Sequence, residues 1–341
     1  MRFGVGLTGE HLPARLIELV RLLEDLGFDR VWLPDERFHR DVFVNLTLAA
    51  SNTEALQLGC MVTDPFVRHP VLTAVAAATV DELSGNRLTL GFGAGISGFA
   101  EMGIERVRPA RAIKEAVELI HRLTSGEEGV TLEGDIISFK DGQIDFVPPR
   151  PVQIYVCGRG PRVLEMAGEV GDGAVIGSFC SEAGIRYGLD RIAHGAARAG
   201  RDAAQIPKVS WLYTSVSADG EAAKDAVRVG VAVAMCGSRN ILEKIGVTLP
   251  PDVLAFMDER GYRFERQQLT ELGALLPDDM LDQFSLAGTP EDVAKKLTKI
   301  ARLGIHHAAM WVFPAKGVGM DDTLRILAKE VVPAVQAELG E

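Results

Sequence analysis

Two carboxylates stand side by side at Asp35-Glu36, directly after the apolar run Arg30 to Leu33. Adjacent acids at the end of a buried strand are suited to taking up or giving a proton, because each can raise the other's pKa. The plainer readings are a solvated loop acid, a helix cap by Asp35, or an ion pair of Glu36 with Arg37 or Arg40. Arg68, farther on, has the charge to face a phosphate or carboxylate, and His69 before Pro70 reads equally as the first residue of a helix.

Glycine-rich turns form the second group. Gly93-Ala94-Gly95-Ile96-Ser97-Gly98 spells GxGxxG after a strand-like run. A dinucleotide site needs that pattern to open straight into a helix, with an acid ending the next strand ~20 residues on. The next helix starts only near Val107, so that reading fails. What remains is that these glycines let backbone approach a flat ligand closely. Gly158-Arg159-Gly160-Pro161 leads straight into a helix, and a helix N-terminus behind glycines and a basic residue suits a phosphate. Gly177-Ser178 is a third such turn, and ordinary tight turns are the alternative for all three. The chain contains no HExxH, GxSxG or Walker A motif and no His cluster at metal-ligand spacing. An organic cofactor with a phosphate tail accounts best for this set, since a cofactor carries the reaction and leaves the protein to orient it.

These turns must be held by elements, and the elements alternate. Apolar runs at Phe3 to Leu7, Arg30 to Leu33, Leu56 to Val62 and Arg87 to Gly93 are separated by helical periodicity. Further runs at Val152 to Cys157, Gly173 to Ile176, Lys208 to Val216 and His306 to Phe313 bring the strands to eight. Pro13 and the Thr289-Pro290-Glu291 start open helices, and Gly27 and Gly304 end them. Strictly alternating strands and helices imply a parallel sheet. A closed (β/α)₈ TIM barrel fits best, and an open doubly wound sheet is the competing arrangement. In both, ligands gather at the C-terminal ends of the strands, where the acids and glycines stand. Residues 1–341 read as one domain with two insertions. A Gly- and Asp-rich β-hairpin excursion covers about 127–149, after the fourth helix, and a helical stretch covers about 220–281, after the seventh strand.

Composition narrows the partners. The chain has 36 basic and 47 acidic residues, a net charge of −11, so nucleic acid is excluded as a partner. No apolar run approaches the ~20 residues that span a bilayer. No basic segment followed by an apolar core marks a secretory signal, which makes the cytoplasm the expected location. Cys60, Cys157, Cys180 and Cys236 fit no zinc spacing and read as small buried hydrophobes.

The motifs LGFDRVWLPDERF, LGCMVTDPFVRHP, TVDELSGNRLTLGFGAG and YVCGRGPRVLEMAGEVGDGAV, with LAGTPEDVAKKL and GIHHAAMWV, resemble the bacterial luciferase-like superfamily. They are most similar to its coenzyme F420-dependent branch, which includes methylenetetrahydromethanopterin reductase. The resemblance implies a TIM barrel, usually dimeric, and a deazaflavin that exchanges a hydride with a carbon of a small-molecule substrate. It implies a cis peptide at Met61–Val62 behind the ring. It also implies cofactor contacts from Asp35, Met61, Val62, Thr63, Gly93, Ala94, Gly95 and Ser178, with the phosphate at Gly158, Arg159, Gly160 and Pro161. Several relatives carry His where this chain has Glu36, so Glu36, Asp35 and Glu10 are the expected proton-handling residues, and no metal is implied. An FMN-dependent monooxygenase is the alternative within enzymes, and a flavin-binding protein without catalysis is the alternative outside them.

Overall fold

A computed structural model describes residues 1–36, 38–95, 98–260 and 266–340. Eight parallel strands close into a barrel. They are β1 (Arg2–Gly6), β2 (Arg30–Leu33), β3 (Gln57–Thr63) and β4 (Leu88–Phe92), then β7 (Gln153–Gly158), β8 (Gly173–Gly177), β9 (Lys208–Val216) and β11 (His307–Val312). β5 (Val130–Glu133) and β6 (Ser138–Gly142) form a separate antiparallel hairpin, and β10 (Ser285–Gly288) pairs with β9 beyond the point where β8 leaves it. Closure is direct: β8 pairs with β9, β9 with β11, and β11 with β1. In this ring β3 stands opposite β9, and β4 opposite β11.

The helices are α1 (Pro13–Asp25), α2 (Val42–Ser51), α3 (Pro70–Leu83), α4 (Pro109–Thr124), α5 (Pro161–Val170), α6 (Glu182–Arg198) and α7 (Gly220–Ser238). They continue with α8 (Pro251–Arg260), α9 (Arg266–Leu275), α10 (Asp278–Phe284), α11 (Pro290–Arg302), α12 (Met320–Ile326) and α13 (Val332–Leu339). Prolines open many of them, because a first-turn residue needs no amide hydrogen. Thr289 is the N-cap of α11, and Asp292 completes a capping box with it. The last helical stretch, Met320 to Leu339, is divided by a π turn at Leu327–Val331, next to Pro333, which has no amide hydrogen to continue the ladder.

Two layers of side chains leave the strands. Outward residues such as Val5, Val31, Leu58, Leu90, Leu212 and Met310 pack under the helices as the main core. Inward residues Trp32, Met61, Cys157, Val175, Val209 and Ala309 form a second cluster, with Val62, Tyr155 and Trp211 against it. Large rings fill the lumen because glycines face them. A Cβ on Gly59 would lie 2.0 Å from the Trp32 ring, and one on Gly6 would lie 2.5 Å from Trp311. At the base, buried His307 meets Trp32 edge-on at 5.8 Å, and the Arg30 guanidinium lies 4.9 Å from the Trp32 ring. Burial, reinforced by Arg30 and Arg2, pushes the His307 pKa well below its ordinary value, so this imidazole is neutral.

Candidate functional site

The end of β3 carries the feature around which the rim is built. The Met61–Val62 peptide is cis, as expected. The β3–β4 register shifts between Cys60 and Thr63, and the Gly93 amide then donates to the Thr63 carbonyl at 2.9 Å. Gly93 must be bare for this approach, since a Cβ there would stand 3.0 Å from the Cys157 carbonyl and 3.3 Å from Val62 Cγ2. Thr63 Oγ1 donates to Asp35 Oδ2 at 2.7 Å, which ties the end of β2 to the end of β3. Asp35 caps no helix; that task falls to Asp41, which accepts from the amides of Phe43 and Val44 at the start of α2. Arg68 closes the group. It lies 3.7 Å from Asp35, bonds Asp41 at 2.8 Å and rests on the Phe43 ring at 4.7 Å. Two carboxylates of the protein itself therefore neutralise Arg68. His69 is the N-cap of α3, its Nδ1 accepting from the Val71 amide at 3.3 Å.

Glu36 turns to His39, whose Nδ1 lies 2.7 Å from Glu36 Oε2. Arg40 donates to the Glu10 carbonyl at 2.8 Å, and the Arg37 alternative lies outside the described residues. A cavity of about 470 Å³ opens here, lined by Gly9, Glu10, Phe38, His39 and Arg40. Glu10 thus shares a pocket with His39, while Asp35 and Glu36 leave the same loop in different directions. A cavity of about 500 Å³ at the opposite end, beside Arg2 and His306, lies at the N-terminal face, away from the strand ends that build barrel sites.

Next to the bulge on the rim, Ala94 and Gly95 continue from Gly93, with Gly95 at φ +61°. Arg106 holds this turn by donating to the Gly95 carbonyl at 2.6 Å, with Phe99 beneath its guanidinium at 5.0 Å. Ile96 and Ser97 lie outside the described residues. Of the neighbouring arginines, Arg111 bonds Glu115 at 2.6 Å, whereas Arg106 takes a carbonyl and Arg108 takes Asp135 at 2.5 Å. Gly160 is the N-cap of α5, with no side-chain cap and open space where its Cβ would be, and Pro161 follows at N1. The first-turn amides of α5 therefore face outward beside Gly158, an anion-binding arrangement. Arg159 itself crosses Gly177 to the end of α7, where it donates to the Ala234 carbonyl at 3.3 Å. Ser178, at φ +53°, is buried, and its amide donates to the Trp211 carbonyl at 2.8 Å.

Sequence reasoning missed the wall that faces β3. Trp211 on β9 and Trp311 on β11 stack at 4.7 Å and 15°. Tyr213 and Phe313, two residues farther along, meet edge-on at 5.8 Å. The signal was present as KVSWLYTSV and HAAMWVF, but aromatic strand residues read as ordinary core. The cysteines are inert by environment: burial raises the pKa of Cys60 and Cys157, and that of Cys180 to about 12. Among the described residues, no His, Cys, Asp and Glu converge in a metal-binding group, and no helix is long and apolar enough to cross a membrane.

Comparison with known proteins agrees with this geometry. Residues 1–307 match the family described as luciferase-like monooxygenase. The chain is 32% identical over 340 residues to a 5,10-methylenetetrahydromethanopterin reductase of Archaeoglobus fulgidus, covering 98% of this chain and 100% of the relative. It is 29% identical over 353 residues to an F420-dependent glucose-6-phosphate dehydrogenase of Beutenbergia cavernae, covering 99% and 98%. The solved coenzyme F420-dependent tetrahydromethanopterin reductase of Methanopyrus kandleri superposes with a TM-score of 0.83 at 27% identity, covering 97% and 98%.

Proposed function

The chain belongs to the luciferase-like monooxygenase family, and from that premise we propose that it is a coenzyme F420-dependent oxidoreductase. In this reading a hydride passes between the deazaflavin and a carbon of a small organic substrate, with methylenetetrahydromethanopterin as the first candidate. The observation that carries it is the full-length likeness to a reductase of that substrate, together with the Thr63–Asp35 bond beside the β3 bulge. The residues fit such a cofactor. The turn at Ala94 and Gly95 beside the β3 bulge and the uncapped α5 amides at Gly160 suit a flat ring and an anionic tail, respectively.

When bound, the deazaflavin supplies the carbon that exchanges the hydride. The chain's own part is to hold and shield. Met61, Val62 and Thr63 present backbone at the end of β3, and Asp35 fixes the buried Thr63 hydroxyl by accepting its hydrogen. Ala94 and Gly95 flank that surface, and Ser178 closes the rim at β8. Glu36, paired with His39 beside Glu10, handles any coupled proton. One domain over residues 1–341 carries the whole site, working in the cytoplasm as a homodimer.

Spectroscopic titration tests this. Purified protein should bind F420 and pass reducing equivalents between it and methylenetetrahydromethanopterin. Tight FMN binding with flavin-dependent oxygen consumption, and no F420 turnover, sinks the reading. Glu36→Gln should lower kcat while F420 affinity stays within about twofold, since it removes a proton-transfer group worth ~10²-fold or more. Unchanged turnover removes Glu36 from the proton path.

A further inference from the structure

We infer that Trp211 determines substrate specificity, seating a flat conjugated ring of the substrate on the wall opposite the β3 bulge. This rests on the reading above in one respect only, that the bulge side of the barrel belongs to the cofactor. The topology supplies the opposition, since β9 and β11 face β3 and β4 across the ring. Met61 and Trp211 pack against the same lumen cluster, so the bulge and the indole address one space.

The wall is aromatic from the lumen to the mouth. Trp311 is buried behind Trp211, while Trp211, Tyr213 and Phe313 each keep part of their surface exposed. Rigid stacked rings offer a flat apolar face at little entropic cost. A planar heterocycle gains from such a face, and a sugar phosphate with its hydroxyls does not. One polar group interrupts the wall. The Trp211 indole N–H is buried and has no hydrogen-bond partner among the described residues. Buried indole N–H groups normally find an acceptor; the Trp32 N–H at the base is unpartnered too, but only Trp211 stands in the half-exposed part of the wall, where a small turn of its ring lets a substrate carbonyl or ring nitrogen meet it. All three tryptophans of the chain, Trp32, Trp211 and Trp311, line the lumen, so tryptophan emission reports only from this space.

The test uses the full chain and 6-methyltetrahydropterin as the probe with a flat conjugated pyrimidinone ring, with glucose 6-phosphate as the probe without one. F420 binding to the wild type is measured first and alone, so that failure of the cofactor assignment is seen apart from anything at Trp211. Calorimetry and tryptophan quenching then follow each probe, with and without F420. The pterin should bind and quench, and glucose 6-phosphate should bind at least tenfold more weakly. Trp211→Phe keeps a ring but loses the donor, and should weaken the pterin about fivefold, the worth of one hydrogen bond. Trp211→Ala should weaken it about thirtyfold, in line with a stacked base, while F420 affinity stays within twofold. Unchanged pterin affinity in both variants overturns the inference. A parallel loss of F420 affinity also overturns it by assigning the wall to the cofactor, and so does tighter binding of glucose 6-phosphate. If Trp211→Ala does not fold, Trp211→Phe and the two-probe comparison still decide.

Discussion

At the scale of single residues, the rim is a set of charges that the protein has already matched to one another. Asp35 was legible as a site residue because two acids after a buried strand are unusual. Its partner was not, since Thr63 lies 28 positions away and only the folded β2–β3 pairing brings the two to 2.7 Å. Thr63→Val keeps the shape and removes the hydroxyl, leaving Asp35 with Arg68 at 3.7 Å. F420 affinity should fall about tenfold and stability by ~1 kcal/mol, read by deazaflavin fluorescence titration and urea melts; unaltered affinity would confine the bond to a structural task. His307 gives a pH dependence with a definite sign. Its folded pKa lies well below the unfolded 6.5, because burial and then Arg30 and Arg2 oppose the charge. The unfolded chain therefore binds a proton that the folded chain refuses, and stability is complete above pH 6.5 and falls as pH drops below it. His11 and His306 are lowered too, mainly by burial, and add in the same direction. Between pH 6.5 and 5.5 each fully shifted histidine costs up to ~1.4 kcal/mol. His307→Gln should remove the largest histidine share of the acid slope in urea unfolding, and an identical slope would count against this account.

At the scale of elements, the insertion after α4 shows what pattern reading catches and what it does not. Alternation in VTLEGDIISF marks strands, and one hairpin, β5–β6, is present. What fastens it was invisible in the sequence. Glu115, in the middle of α4 and buried, accepts the amides of Asp135, Ile136 and Ile137 at 2.8–2.9 Å and takes Arg111 as well. Burial alone would raise the pKa of this carboxyl, but the three amides and Arg111 prevail and hold it below its ordinary value. Glu115→Ala leaves three amides of a half-buried turn without their acceptor. It should cost about 3 kcal/mol or more, with hydrogen exchange at 135–137 rising before that of β1 to β4. Uniform loss of protection would mean the hairpin is no separate unit. β10 escaped sequence reading for a different reason: Ser-Leu-Ala-Gly is too short to show a period, and its strand conformation comes from the free edge of β9. The lumen tryptophans were hidden similarly. Barrel strands are buried on both faces, so no alternation separates residues facing the site from those facing the helices.

At the scale of the whole molecule, alternation established eight strands and left closure open. Closure is decided by the pairing of β8 with β9 and of β11 with β1, a long-range fact that no local pattern encodes. The outer surface carries one further consequence. On α3, Leu72, Val75, Thr79 and Leu83 recur at helical spacing on the solvent side, and Leu72 is 61% exposed. Val44 on the neighbouring α2 is 59% exposed, and Val67 in the turn before α3 is also exposed. Ordinary monomers scatter such residues, whereas here they gather on two packed helices. A largely apolar helical face of this kind, with Glu82 at its edge, can meet its own copy across a two-fold axis, each α3 lying against the other. The protein should therefore run as a dimer in light scattering at micromolar concentration. Leu72→Glu puts two carboxylates into that contact and should raise the dimer dissociation constant at least about a hundredfold, by charge burial without a partner. Because Leu72 already faces solvent in the isolated chain, the monomer's own thermal midpoint should stay put. A wild type that is monomeric at those concentrations, or a Leu72→Glu variant that still dimerises, would locate the contact elsewhere or abolish it.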